Sequence, residues 1–172
     1  MTQKVIDIIN NQIKEEFYSS YLYLALSAQL EAWNLKGAAN WMLIQAKEEV
    51  DHAMGFFKFL VERGIDVKLE AIAKPEINPK NILEVFEAGL KHEKIITGLI
   101  GKIYETAQAE KDYALVSFIK WYIDEQVEEE ANATEMIDKI KLVGADGPAV
   151  YLIDKDLAAR TYIPGGPYAT AA

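Results

Sequence analysis

The sequence predicts an all-α protein, a four-helix bundle with one long crossover between helices two and three and a short fifth helix. Four stretches of about 30 residues repeat apolar side chains at steps of three and four, the spacing of one helix face. Turn-forming residues fall between these stretches and hardly at all within them. Only one connection is long enough to run the length of a bundle.

Each element has its own start and stop signals. Thr2 can cap a first helix running to about Trp33, followed by the turn Asn34-Leu35-Lys36-Gly37. The second helix is expected from about Ala38 to Arg63, with Gly64 as its left-handed terminal residue. An irregular stretch from Ile65 to Ile77 contains Pro75, and Asn78-Pro79 reads as a cap and first-turn proline for a third helix ending near Ala109. Asp112 can cap a fourth helix that continues to Val143 and stops at Gly144. Short turns force helices one and two, and helices three and four, to run antiparallel. Helices of this length are about 45 Å long, and some 14 extended residues span about 45–50 Å. The middle connection can therefore set helices two and three parallel. The bundle is assigned to residues 2–143 and a fifth helix to 148–160, with one domain over 1–161 and a loose tail over 162–172. So short a fifth helix must dock on something to hold its shape.

The four stripes carry the functional signal. They read Val5, Ile9, Gln12, Glu16, Ser19, Tyr23, Leu26, Leu30; Met42, Gln45, Glu49, His52, Phe56, Phe59; Ile82, Phe86, Gly89, Glu93, Ile96, Ile100, Ile103; and Ile119, Tyr122, Gln126, Glu129, Ala133, Met136, Ile140. Each places an acid near mid-length, where a soluble bundle is otherwise apolar. Unpaired carboxylates in a core cost several kcal/mol apiece, and no stripe contains Lys or Arg. A bound cation answers the imbalance.

Composition limits which cation and which partners. The chain has 172 residues, 51% hydrophobic and 26% charged, which suits one globular domain with a sizeable core. A net charge of −9 argues against nucleic acid and suits cations, although acidic surfaces are often merely solvated. Without cysteine there is neither a disulfide nor a thiolate ligand, so metal must be held by oxygen and at most by His52 and His92. The opening residues lack a signal-like apolar run and no segment approaches a membrane span, so a cytoplasmic location is expected.

Glu49 and His52, three residues apart, project toward one point. Alone the pair is weak, because Glu and His share helix surfaces constantly. Glu16, Glu93 and Glu129 at matching depths change its weight. A Glu from each of two helices plus Glu-x-x-His motifs from the others is the known arrangement of di-iron carboxylate bundles. Over residues 2 to 161 the chain resembles the prokaryotic non-haem ferritins, members of the ferritin-like di-iron superfamily. The resemblance rests on Glu16-Phe-Tyr-Ser-Ser-Tyr-Leu-Tyr23, Ala46-Lys-Glu-Glu-Val-Asp-His52, Lys91-His-Glu-Lys94 and Trp121-Tyr-Ile-Asp-Glu-Gln-Val-Glu-Glu-Glu130.

That resemblance implies a set of roles. Glu16, Glu49 and His52 would hold a first iron; Glu49 would bridge to a second, completed by Glu93 and Glu129 with Gln126 close by. A third site would use Glu48, Glu125, Glu128 and Glu129. Tyr23 would be the tyrosine beside the oxidation centre, unless it is simply a core tyrosine whose hydroxyl found a carboxylate. Bacterioferritins and rubrerythrins carry a second Glu-x-x-His, which the run Glu125-Gln-Val-Glu128-Glu129 lacks. The Met that ligates haem in bacterioferritins is replaced by Val50, so no haem is expected, and no cysteine-ligated iron domain either. His92, about a hundred degrees round the helix from Glu93, is expected to face away, as is Glu130. Trp121 reads as packing, Phe56, Phe57 and Phe59 as core or interface, and Glu84, Glu87, Glu105 and Glu110 as solvated faces.

The expected function is iron storage with ferroxidase activity, in a self-assembled shell of by resemblance 24 subunits. Its substrates would be Fe(II) and dioxygen or hydrogen peroxide, with no nucleic acid or membrane as partner. Carboxylates are hard donors that stabilise Fe(III), although zinc or manganese would bind too. Two rivals are a di-iron peroxidase that stores no mineral, separable by its small assembly, and a non-catalytic bundle whose acids bind a structural ion or stay protonated.

Overall fold

A computed structural model describes residues 1–168. Its helices are α1 (Gln3–Ala32), α2 (Lys36–Glu62), α3 (Ile82–Ala109), α4 (Tyr113–Val143) and α5 (Pro148–Leu157). None is long and apolar enough to cross a membrane.

The ends of the helices explain where the sequence reading succeeds and where it slips. Thr2 precedes α1 in extended conformation, but its hydroxyl caps nothing; its carbonyl accepts from the amides of Val5 and Ile6. In the first turn the left-handed residue is Asn34 (φ 61°), which frees Gly37 to sit inside α2. Helix α2 therefore starts two residues before the expected Ala38. Leu35 at its cap offers no acceptor, and the Asp154 carboxylate of α5 takes the Ala38 amide instead, at 2.9 Å. Gly64 (φ 69°) ends α2 as expected.

Asn78-Pro79 does not open α3. The cap is Asn81, whose side chain accepts from Glu84 N at 2.9 Å, while the Glu84 carboxylate reaches back to Lys80 N at 2.8 Å. This reciprocal arrangement satisfies two free amides and outweighs the proline signal three residues earlier. Asp112 caps α4 through Leu115 N at 3.1 Å. Its two oxygens also accept from Arg63 at 2.7 and 2.8 Å, pinning the end of α2 to the α3–α4 turn.

Two apolar clusters define the topology. One gathers Val5 and Ile9 early in α1, Phe56 and Leu60 late in α2, Ile100 and Ile103 late in α3, and Leu115 and Ile119 early in α4. The other gathers Leu26 and Leu30, Ala38 and Met42, Ile82 and Phe86, and Ile137 and Ile140 from the opposite ends. Helices α2 and α3 are thus parallel, as the long crossover predicts. The crossover lies mostly exposed along the bundle and is tacked down where Lys68 N donates to Asn10 Oδ1 at 3.0 Å. Every residue of the first three stripes is buried; in the fourth, Met136 is half-buried and Ile137 is the buried side chain beside it.

Helix α5 is three residues shorter than expected. Its apolar Val150 and Leu157 join the second cluster, and Gly37 lets it approach, since a Cβ there would overlap the Asp154 carbonyl. Past Leu157 the chain turns, and the Arg160 carbonyl accepts from Asn40 Nδ2 at 3.0 Å. Residues 162–168, expected as a loose tail, lie against α2 because their polar groups find partners there; residues 169–172 lie outside the described residues.

Candidate metal centre

Between the two apolar clusters lies a polar layer. Glu16 from α1, Glu49 and His52 from α2, Glu93 from α3 and Glu129 from α4 are respectively 1%, 2%, 3%, 1% and 6% exposed. Helical periodicity puts them there: each replaces an apolar residue in a stripe otherwise facing the core. No Lys or Arg pairs with these four acids among the described residues; beside Glu49 stands His52, Nδ1 to Oε2 at 3.3 Å.

Glu16, Glu49 and His52 each offer a ligand atom, all within 4.8 Å of one another. Glu16 Oε1 accepts from Gln12 Nε2 at 2.9 Å, while its Oε2 is buried without a partner. An orphaned carboxylate oxygen beside a second carboxylate and an imidazole is the condition a cation relieves. Burial, and then the neighbouring Glu49, push the Glu16 carboxyl well above the usual range. Burial, followed by Glu93 and Glu129, does the same to Glu49. Burial, then Glu93, raises Glu129 to about 8. A dication among these groups would reverse the preference for the protonated form and release protons as it binds. The donors are hard oxygens with one imidazole, which suits iron, manganese or zinc.

Glu93 and Glu129 lie in the same layer, each oriented by other side chains. Glu93 accepts a short hydrogen bond from the Tyr23 hydroxyl and one from Gln126 Nε2 at 3.1 Å. Gln126 Nε2 also reaches the Glu93 carbonyl at 3.2 Å and Thr97 Oγ1 at 3.3 Å. Tyr23 thereby touches a candidate ligand, and burial with Glu93 beside it holds its hydroxyl protonated well beyond the ordinary range. Glu129 Oε2 accepts from Gln45 Nε2 at 2.8 Å, and Gln45 Oε1 is left buried and unpartnered. Gln12 and Gln45 had no role assigned from sequence. Their signal was present, as amides at stripe positions one helical turn before Glu16 and Glu49.

The remaining candidates are more scattered. Glu125 is half-buried, its Oε1 3.9 Å from His52 Nε2; Glu48 is half-buried and paired with Arg160 at 2.6 Å; Glu128 is exposed. These three do not close with Glu129 into a group as tight as the first three ligands. His92 turns away as expected, its Nε2 2.7 Å from Ser19 Oγ and its ring 5.5 Å from that of Tyr18. Glu130 accepts from Thr97 Oγ1 at 2.6 Å. Trp121 packs edge-on to His52 at 5.5 Å, and the Tyr122 hydroxyl donates to the His52 carbonyl at 2.8 Å, fixing α2 against α4 at the site. Of the acids read as solvated faces, Glu84 serves the α3 cap and Glu87 pairs with Lys141 at 3.2 Å.

Comparison with known proteins agrees with this geometry. Residues 6–143 match the family model for the ferritin-like domain. A non-haem ferritin-like protein of Haemophilus influenzae is 38% identical over 157 residues, 91% of this chain and 95% of that protein. The bacterial non-haem ferritin of Staphylococcus aureus is 33% identical, covering 94% of this chain and 98% of its own. Among solved structures, the open pore ferritin of the archaeon Archaeoglobus fulgidus superposes with a TM-score of 0.91 at 41% identity, covering 94% of this chain and 98% of the other. The buried acid layer, the parallel crossover and these likenesses agree, and the chain belongs to the ferritin family as a prokaryotic non-haem ferritin.

Proposed function

We propose that the protein stores iron, oxidising Fe(II) at the buried acid layer and depositing it as ferric mineral within a shell of its own subunits. The observation that carries this reading is the convergence of Glu16, Glu49 and His52 on one buried point with an unpartnered carboxylate oxygen. Its support from kinship is the family match over residues 6–143.

Charge explains how such a layer handles its cargo. Glu16, Glu49, Glu93 and Glu129 carry four negative charges when ionised, the number that two Fe(II) ions neutralise. Glu16, Glu49 and His52 hold the first ion; Glu49 bridges to a second, completed by Glu93 and Glu129. Two Fe(II) give two electrons to dioxygen which, with two protons, becomes hydrogen peroxide; the displaced carboxyl protons are a nearby source. The product carries two positive charges more than the acids balance, which favours its hydrolysis and departure. Gln12, Gln45 and Gln126 keep the carboxylates aimed as their charge state changes. Tyr23 holds Glu93 by its hydroxyl and stands close enough to pass an electron.

A third ion is assigned to Glu48, Glu125, Glu128 and Glu129. Twenty-four subunits, a cytoplasmic location and operation without haem complete the reading. Replacing Glu49 by Ala should abolish rapid oxidation, followed by ferric absorbance after adding Fe(II) in air, while the assembly sediments unchanged. Wild-type kinetics in that variant would refute the assignment. Sedimentation of iron-loaded protein distinguishes a mineral-filled shell from a peroxidase that stores nothing.

A further inference from the structure

Residues 160–168 follow one stripe of α2. Glu48, Asp51, Gly55, Lys58 and Glu62 recur at steps of three and four, so they share a helix face about 21 Å long. The arm from Arg160 to Tyr168 meets them in order. Arg160 Nη2 donates to Glu48 Oε2 at 2.6 Å. The Tyr162 hydroxyl and Gly165 N both donate to Asp51 Oδ2, at 2.7 and 3.0 Å. Pro167 lies over Gly55, where a Cβ would come within 3.0 Å of its ring. The Tyr168 hydroxyl donates to Glu62 at 3.0 Å, and Lys58 Nζ stands 4.1 Å from the Tyr168 ring centre. The nine residues from Arg160 to Tyr168 cover this face by running largely without helix, which suits a strap with two glycines and two prolines between Tyr162 and Tyr168.

Arg160 is the part of this strap that meets the chemistry. Its guanidinium lies 4.5 Å from the Trp41 ring centre and donates to the Trp41 carbonyl at 3.3 Å. Its side chain and that of Glu48 are 24% and 21% exposed. Arg160 is thus locked on two sides, and the acid it neutralises belongs to the group assigned to a third ion. Burial, with Glu125 adding to it, pushes the Glu48 carboxyl up, and burial, with Glu93 and Glu48 adding to it, does the same to Glu129, while Glu125 Oε1 lies 3.9 Å from His52 Nε2. A dication held by these carboxylates stands near the guanidinium, and two cations competing for one carboxylate weaken each other.

We propose that Arg160, delivered by the C-terminal arm, is the resident counter-ion of Glu48 and competes with the metal ion of the third site. Filling that site loosens the arm, and a docked arm weakens the site by the same factor, since the coupling is reciprocal. The proposal rests on the third-site assignment above. It makes the arm a tethered rival of the cargo at the margin of the oxidation centre.

The test is calorimetric titration of the metal-free assembled protein with Zn(II), which binds without redox change. Wild type should show two tighter classes and one weaker. Arg160→Gln should tighten the weakest class by about five- to tenfold, the size of one partly buried charged contact. Arg160→Lys, which keeps the charge, should stay within about threefold of wild type. An Arg160→Gln titration matching wild type in all classes would overturn the proposal. Should wild type show two classes and no third, the third-site assignment itself falls and takes the proposal with it, so the two failures are distinguishable. Wild type also tests it directly, without any variant. Hydrogen exchange of amides 160–168 should rise severalfold when Zn(II) fills the weakest class and not before, and unchanged exchange would refute the coupling.

Discussion

Glu129→Gln isolates the cost of holding a carboxylate in the layer without metal. In the folded chain burial and Glu93 raise the Glu129 carboxyl from the ordinary 4.5 to about 8. At 1.36 kcal/mol per pH unit, that rise corresponds to about 5 kcal/mol. The sign follows from proton counts. Between pH 4.5 and 8 the folded state holds a proton that the unfolded state has released, so metal-free stability falls as pH rises through this window and levels above it. Glutamine keeps the shape, can still accept from Gln45, and does not titrate. The variant should therefore match wild type near pH 4.5 and exceed it increasingly up to pH 8–9. For a domain of this size 1 kcal/mol moves the melting temperature by about 2–4 °C, so the gap should open to about 10–20 °C. The assay is circular dichroism melting of chelator-treated protein from pH 4.5 to 9. Parallel curves for the two proteins would refute the claim that this acid is strained without a cation. Saturating Zn(II) should reverse the order, because an ion that binds only the folded state stabilises the protein retaining its ligand.

Two further outcomes follow from particular contacts. Tyr23→Phe removes the hydroxyl that holds Glu93; a hydrogen bond to a charged group contributes about 1.5–3 kcal/mol, so Fe(II) oxidation in stopped flow should slow by about tenfold or more, with the assembly intact. Gly37→Ala places a methyl against the Asp154 carbonyl, so α5 must shift; melting should fall by about 1–3 kcal/mol in stability, and amide exchange should rise in residues 148–157 far more than in α3.

Much of this molecule could be read along the chain, and the reason is periodicity. A helix repeats every 3.6 residues, so Glu16, Glu49, Glu93 and Glu129 announce their burial by standing where Ile or Leu belongs. The parallel crossover followed equally from sequence, because chain length bounds how far a connection reaches. Helix starts were less legible. At Asn81 the deciding factor was a pair of side-chain bonds to free amides, stronger than the Asn-Pro signal at 78–79. At the start of α2 it was Asp154, 116 residues away, which no local pattern contains.

The sequence by itself determined which helix faces turn inward and which acids they carry, since both depend on spacing within one segment. Only the tertiary structure decided how those acids are shared among partners: Gln12 on Glu16, Gln45 on Glu129, Tyr23 and Gln126 on Glu93, and Arg160 on Glu48. Most of these contacts join segments far apart in the chain. Their geometry is set by how helices pack, and packing depends on every residue along the interface at once.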